Sequence, residues 1–291
     1  MKRIAVIGAG FMGSGIAQVS AQAGYLVTLI DVTEDRLEFA RNAIAWSLSK
    51  LENKEQLGAP ASVVADRIQT STLYEAARDA DLIIEAVYED RDIKLNAIRT
   101  LDSICRSDAI IGSNTSTIPI TQLAAASKNP ERVIGIHFFG PVPLMRLVEI
   151  TPAPATSQSV VDTVLNFGRS VGKNPVLVKK DVPGFLMNRI FGAMTCEAIR
   201  LVEDGVGSIE DIDQGMCDGF NFRVGPLCIA DLAGLDIALN AFQVMHDLDP
   251  ARMPAPPKLL SRMVAEGRLG AKSGEGFYCW EKNGKRLGPA F

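Results

Sequence analysis

The sequence predicts an α/β protein: an N-terminal, Rossmann-type doubly wound parallel sheet over residues 1–182, then an all-α domain over 183–291. Three observations carry this. Short apolar runs alternate with helical periodicities through the first part of the chain, a Gly-x-Gly-x-x-Gly loop directly follows the first run, and strand signals cease near DVPGF (181–185). A chain of 291 residues suits one large or two modest domains.

The runs RIAVI (3–7), YLVTLI (25–30), ADLII (80–84), AII (109–111), VIGIHFF (133–139) and PVLV (175–178) are of the kind buried on both faces of a parallel sheet. Between them, Leu37, Ala40, Ile44, Leu48 and Leu51 recur at three- and four-residue intervals and read as one helix; Ile93, Ala97, Leu101 and Ile104 read as another. Beyond 181–183 the pattern is helical, with Leu186, Ile190, Met194, Ala198 and Leu201 in one series and GPLCIADLAGLDIALNAF and PKLLSRMVAEG after it. Pro183 is suited to open the first of these helices. Residues 4–30 carry no charge and follow Lys2 and Arg3, so they imitate a signal peptide or membrane span. Five glycines, with Gln18 and Gln22, interrupt them, and the pattern resolves into strand, loop, helix and strand.

A net charge of −4 gives no sequence-wide attraction for nucleic acid or an anionic membrane, so neither is expected as a partner, and a polyanionic ligand needs a local positive cluster. The five cysteines (105, 196, 217, 228 and 279) form no CxxC pair and no metal-ligand spacing. No metal site is therefore expected, and a reducing, cytoplasmic location is.

In VIGAGFMGSGIA, Gly8 permits a tight turn, Gly10 lets the backbone approach a pyrophosphate, and Gly13 lets helix pack on strand. With Phe11 and Met12 they open a helix whose N-terminal N–H groups and dipole suit phosphates. Asp31 ends the second run at the spacing of a carboxylate that accepts from ribose hydroxyls and repels a 2'-phosphate, which favours NAD over NADP. Alone the glycine pattern is weak, since small-residue loops recur wherever helix and strand pack closely, and Asp31 has the alternative role of capping the helix over 33–51.

Open parallel sheets bind ligands beyond the carboxyl ends of their strands. There lie Glu85 and Glu89 after ADLII, the run Ser113, Asn114, Thr115 and Ser116 after AII, and His137 in VIGIHFF. Singly, such residues make turns and caps, and a lone histidine near a core more often bonds a backbone carbonyl. The chain has only two histidines, however, and His246, in a helical stretch, reads as a surface residue. Glu149 sits in RLVEI, where an unpartnered buried carboxylate is costly, and His137 is the obvious partner. A carboxylate fixes the imidazole tautomer, as a general base for an alcohol requires. Ser47, Lys50 and Lys54, spaced i, i+3, i+7, share a helix face that is either ordinary solvated surface or the positive cluster for a phosphate-bearing substrate.

The ordered motifs GxGxxG, Asp31, EAVYEDRDIK, SNTST, HFFGPVPLMRLVEI, DVPGFLMNRI, GPLCIADLAGLD and KSGEGFY span residues 3–280 and closely resemble the short-chain L-3-hydroxyacyl-CoA dehydrogenase family, which includes 3-hydroxybutyryl-CoA dehydrogenases. The resemblance implies NAD-dependent interconversion of an (S)-3-hydroxyacyl-CoA and a 3-ketoacyl-CoA. It further implies an NAD-binding domain, a helical domain that binds substrate and forms a homodimer, and an active site in the cleft between them. It makes His137 the base, Glu149 its partner, and Ser116 and Asn188 the binders of the reacting oxygens. Asp31, Glu89, Lys94 and Ser116 match cofactor contacts, and Ser47 and Lys54 match contacts to the coenzyme A nucleotide. Family members usually carry asparagine, near the nicotinamide end of the cofactor, where this chain has Gly140. Two rivals are a dehydrogenase of CoA-free 3-hydroxy acids, whose catalytic-lysine motif has no match in the C-terminal half, and a crystallin-like structural relative, against which the intact Ser116, His137, Glu149 and Asn188 weigh.

Overall fold

The uncharged stretch near the start of the chain folds as strand, loop, helix and strand: β1 (Arg3–Ile7), α1 (Phe11–Gln22) and β2 (Leu26–Ile30). The computed structural model describes residues 1–291 and comprises two units, Met1–Val182 and Pro183–Phe291, each with its own apolar core.

In the first unit β2 is followed by α2 (Glu34–Glu52), α3 (Ala61–Ala65), β3 (Ile68–Ser71), β4 (Leu82–Glu85), α4 (Arg91–Ile104), β5 (Ile110–Ser113) and α5 (Ile120–Ala124). Then come β6 (Val133–Phe138), β7 (Leu147–Pro152), α6 (Gln158–Ser170) and β8 (Asn174–Leu177). All eight strands form one sheet in the order β3-β2-β1-β4-β5-β6-β7-β8. From β3 to β6 every pairing is parallel, and the strand order reverses between β1 and β4, which opens the crevice where such sheets bind ligands. Ile4 to Ile7 and Leu82 to Ile84 are no more than 1% exposed, because helices cover both faces; this is why these strands read as unbroken apolar runs.

The sheet departs from the predicted parallel arrangement at one step: β7 runs antiparallel to β6. Only residues 139–146 join the two strands, whereas a parallel crossover needs about a dozen residues or more, so the chain must turn straight back. Edge strand β3 (IQTS) carries no apolar run and left no signal.

The second unit contains α7 (Met187–Glu203), α8 (Ile209–Phe220), α9 (Pro226–Ala233), α10 (Leu235–Leu248) and α11 (Lys258–Ala265). The helical expectation needs one addition, an antiparallel hairpin of β9 (Tyr278–Trp280) and β10 (Arg286–Pro289). Two buried aspartates tie it to the helices. Asp231 accepts the backbone N–H groups of Phe277 and Tyr278 and the indole N–H of Trp280, each at 2.9 Å. Asp213 accepts from Leu227 and Cys228 at the start of α9, and from the Tyr278 hydroxyl, so α8 supplies the carboxylate that caps α9. Pro183 does not open a helix: Gly184 (φ 75°) and Phe185 (φ 51°) lie in the left-handed region, and α7 begins only at Met187. His246 is half-buried, with Nδ1 2.8 Å from the Met253 carbonyl oxygen, rather than a free surface residue. No single helix is long and apolar enough to cross a membrane.

Candidate active site

The site begins at the switch between β1 and β4. Gly8 leaves β1 with φ 102°, and its N–H donates to the Ile30 carbonyl at 2.7 Å, which binds the loop to the end of β2. A methyl group on Gly13 would overlap the Gly8 carbonyl oxygen, so helix and loop can close this tightly only with glycine there. Above Gly10 the reverse holds: a methyl group would meet nothing within 4 Å, and the loop is open where a phosphate must approach. Helix α1 has no side-chain cap and no acidic residue in its first turn, which reserves the N–H groups of Phe11, Met12 and Gly13 for an anion.

Asp31 is not the cap of α2. Thr33 holds that position and accepts from the Arg36 N–H, while Asp31 accepts from Ala9 and from Val32, both at 2.7 Å. Its carboxylate is thereby fixed beside the glycine loop, where ribose hydroxyls of a dinucleotide would lie, and the cradle as a whole fits NAD. Arg36, which no sequence signal singled out, stands 3.6 Å from Asp31.

A charged network underlies the next two strand ends. The Lys94 ammonium, 1% exposed, lies 2.7 Å from Glu85, which is fully buried, and 3.2 Å from Glu89. Glu89 directs its other oxygen at the SNTST turn, accepting the N–H groups of Ser116 (2.8 Å) and Thr117 (3.1 Å) and the hydroxyls of Thr115, Ser116 and Thr117. Ser116 is thus set in place by Glu89, and Glu89 by Lys94. Burial works to raise the Glu89 carboxyl, but the Lys94 charge and the bonds from the turn outweigh it and hold it below the usual range. Burial likewise works to lower Lys94, and the two carboxylates overcome it and raise it.

His137 and Glu149 are directly opposite one another across β6 and β7, with Nδ1 2.8 Å from Oε2 in a buried setting. The antiparallel step of the sheet therefore makes the pair. A carboxylate only accepts, so Nδ1–H is the donor and Nε2 is the nitrogen able to take a proton. Asn114 braces the neighbourhood by accepting the Phe138 N–H at 2.9 Å, which ties the end of β5 to β6. The loop 139–146 is gripped by Lys173, whose buried ammonium donates to the Val142 and Met145 carbonyls, the latter at 2.9 Å. Burial lowers the Lys173 pKa. Sequence reading missed this lysine because, between Gly172 and Asn174, it reads as part of a solvated turn. A side chain at Gly140, in the same loop, would strike the ring edge of Phe11 from the glycine loop.

Ser47 is half-buried on α2, Lys50 is exposed near its end, and Lys54 follows in a turn whose N–H reaches the Leu51 carbonyl at 3.2 Å. In the second unit Asn188 is half-buried as the second residue of α7. That helix start is held by its neighbour Arg189, which pairs with Asp249 at 3.2 Å and donates to the Pro183 carbonyl at 3.2 Å.

Residues 3–182 match the family model described as 3-hydroxyacyl-CoA dehydrogenase, NAD binding domain, and residues 184–280 match the 3-hydroxyacyl-CoA dehydrogenase C-terminal domain. The chain belongs to the 3-hydroxyacyl-CoA dehydrogenase family. It is 40% identical over 282 residues to 3-hydroxybutyryl-CoA dehydrogenase of Clostridioides difficile, covering 96% of this chain and 100% of that one. It is 40% identical over 288 residues to the mitochondrial hydroxyacyl-coenzyme A dehydrogenase of Homo sapiens, covering 96% and 91%. The solved (S)-3-hydroxybutyryl-CoA dehydrogenase of Ralstonia eutropha matches with a TM-score of 0.92 and 38% identity, covering 97% of this chain and 99% of that one. As a 3-hydroxyacyl-CoA dehydrogenase family member the protein is an NAD-dependent oxidoreductase, and its N-terminal unit is the NAD-binding domain.

Proposed function

We propose that the protein interconverts a short-chain (S)-3-hydroxyacyl-CoA, such as 3-hydroxybutyryl-CoA, and the corresponding 3-ketoacyl-CoA, with His137 as the proton acceptor. The observation that carries the reading is the buried His137 and Glu149 contact at 2.8 Å, where β6 ends and the antiparallel β7 begins in an NAD-binding sheet. In oxidation Nε2 of His137 takes the proton of the 3-hydroxyl, and Glu149 stabilises the imidazolium that forms. Ser116 and Asn188 donate to the oxygen as it becomes a carbonyl. When bound, NAD supplies the hydride acceptor, or in its reduced form the donor for the reverse reaction. Asp31 accepts from ribose hydroxyls and disfavours a 2'-phosphate, while Ser47 and Lys54 hold the coenzyme A nucleotide.

The test is nicotinamide absorbance during reduction of acetoacetyl-CoA. NADH is expected to be oxidised rapidly, with kcat/KM for NADPH lower by about tenfold or more, because Asp31 meets the extra phosphate as a like charge. Equal rates on free acetoacetate would favour a CoA-free 3-hydroxy acid, and NADH binding without turnover would favour a structural relative. The proposal extends to a cytoplasmic homodimer built on the helical unit, without a nucleic-acid or membrane partner. Phe220, Leu232 and Ile237 there are 73%, 55% and 59% exposed, which supports a covered surface. A monomeric mass by light scattering would sink the dimer.

A further inference from the structure

Helix α2 turns a second apolar strip outward. Leu37, Ala40, Ile44 and Leu48 face the core. On the outer side Phe39 is 75% exposed and Trp46 64% exposed. With Ala43 and Lys50 they fall at i, i+4, i+7 and i+11, a single line along the helix bordered by Ser47. The Lys50 ammonium lies 3.7 Å from the centre of the Trp46 ring. At the other end of the strip Asp35, Arg36 and Phe39 join Ala9 and Gly10 of the glycine loop around a recess of about 270 Å³. The strip therefore runs from the dinucleotide cradle to a basic end at Lys50 and Lys54, over roughly 20 Å of helix.

Nothing in the fold requires these aromatics to be exposed, since the core stripe of α2 is complete without them. Lys50 and Lys54 make the far end of the strip basic, while at the near end Arg36 is balanced by Asp31 and Asp35, and Glu38 and Glu52 project from other sides of the helix. An aromatic ring with cations beside it matches a purine base linked to phosphates: the base stacks on the indole and the ammonium groups meet the anions.

We propose that Trp46, backed by Lys50, is the stacking platform for the adenine ring of the coenzyme A part of the substrate. Lys50 and Lys54 meet its phosphates, at the end of the strip away from the dinucleotide cradle. This inference rests on the acyl-CoA reading and adds to it two residues, Trp46 and Lys50, that select for the nucleotide.

The experiment compares acetoacetyl-CoA with acetoacetyl-pantetheine, which lacks the nucleotide, in the wild type, Trp46→Ala and Trp46→Phe. Trp46→Ala is expected to raise KM for acetoacetyl-CoA about five- to tenfold with kcat little changed, and Trp46→Phe to restore most of the loss. KM for acetoacetyl-pantetheine is expected to be the same in all three. Fluorescence gives a second readout, because the chain has only two tryptophans and Trp280 is 7% exposed. Free coenzyme A is expected to quench the wild type and to leave Trp46→Phe unchanged. An unaltered KM for acetoacetyl-CoA in Trp46→Ala, with coenzyme A still preferred over pantetheine by the wild type, would overturn the platform and spare the acyl-CoA reading. Equal KM values for the two thioesters in the wild type would reject that reading as well. A change of mass in solution for Trp46→Ala would make the strip an interface between copies and likewise overturn the platform.

Discussion

Replacing His137 by glutamine is expected to lower kcat for acetoacetyl-CoA reduction by about 10²- to 10⁴-fold, the contribution of a positioned proton-transfer group. Glutamine is close in size and can keep a hydrogen bond to Glu149, but it cannot take a proton. NADH affinity is expected to change by less than about threefold, roughly 0.6 kcal/mol, the scatter ordinary for distant sites. The glycine loop and Asp31 lie at the ends of β1 and β2, and β4 and β5 separate β1 from β6. Steady-state kinetics and a fluorescence titration with NADH check the two halves. Loss of cofactor binding together with turnover would assign His137 to folding instead.

The largest stability effect is expected at Lys94. Substitution by methionine keeps most of the volume but leaves the fully buried Glu85 and the partly buried Glu89 without their common cation. Breaking a buried ion pair from one side costs about 3 to 5 kcal/mol. For a protein of this size that corresponds to a fall in Tm of about 10 °C. Turnover should fall as well, because Glu89 is what holds Ser116. The pH dependence has a definite sign. Glu89 has a lowered pKa, so its contribution is present above the ordinary carboxylate range and is lost as pH falls through the lowered value. Lys94 has a raised pKa, so its contribution is present below the ordinary amine value and is lost as pH rises through the raised one. The gap between wild type and Lys94→Met is therefore expected to be full at neutral pH and to close in acid, as measured by urea unfolding across pH. A variant as stable as the wild type at neutral pH would contradict this view of the network.

What could be read in the chain and what could not divide along a physical line. Strands β1, β2, β4, β5 and β6 announced themselves because both faces are buried, which forces unbroken apolar runs. Strand β3 did not, since an edge strand reading IQTS has no such constraint, and neither did the β9 and β10 hairpin, held by long-range bonds from Asp231 and Asp213. The antiparallel turn into β7 was implicit in the eight residues 139–146, too few for a crossover, yet it becomes evident only once β7 is recognised as a strand. At the site, the glycine loop and Asp31 were legible because a close backbone approach admits few residue types. The contact of His137 with Glu149 was legible because a carboxylate in RLVEI needs a partner. The roles of Lys173, which grips loop 139–146, and of Glu89, which collects the SNTST turn, depend on contacts 26 or more residues apart, and local pattern carries no trace of them.

The most direct test of the catalytic pair is a double-mutant cycle on kcat with acetoacetyl-CoA and NADH, using His137→Gln, Glu149→Gln and both together. If Glu149 acts only through the imidazole, Glu149→Gln alone lowers kcat by about 10²-fold or more. The double variant is then no slower than His137→Gln by more than about threefold. Losses that multiply, or a Glu149→Gln enzyme with the kcat of the wild type, would contradict a histidine and carboxylate working as one unit.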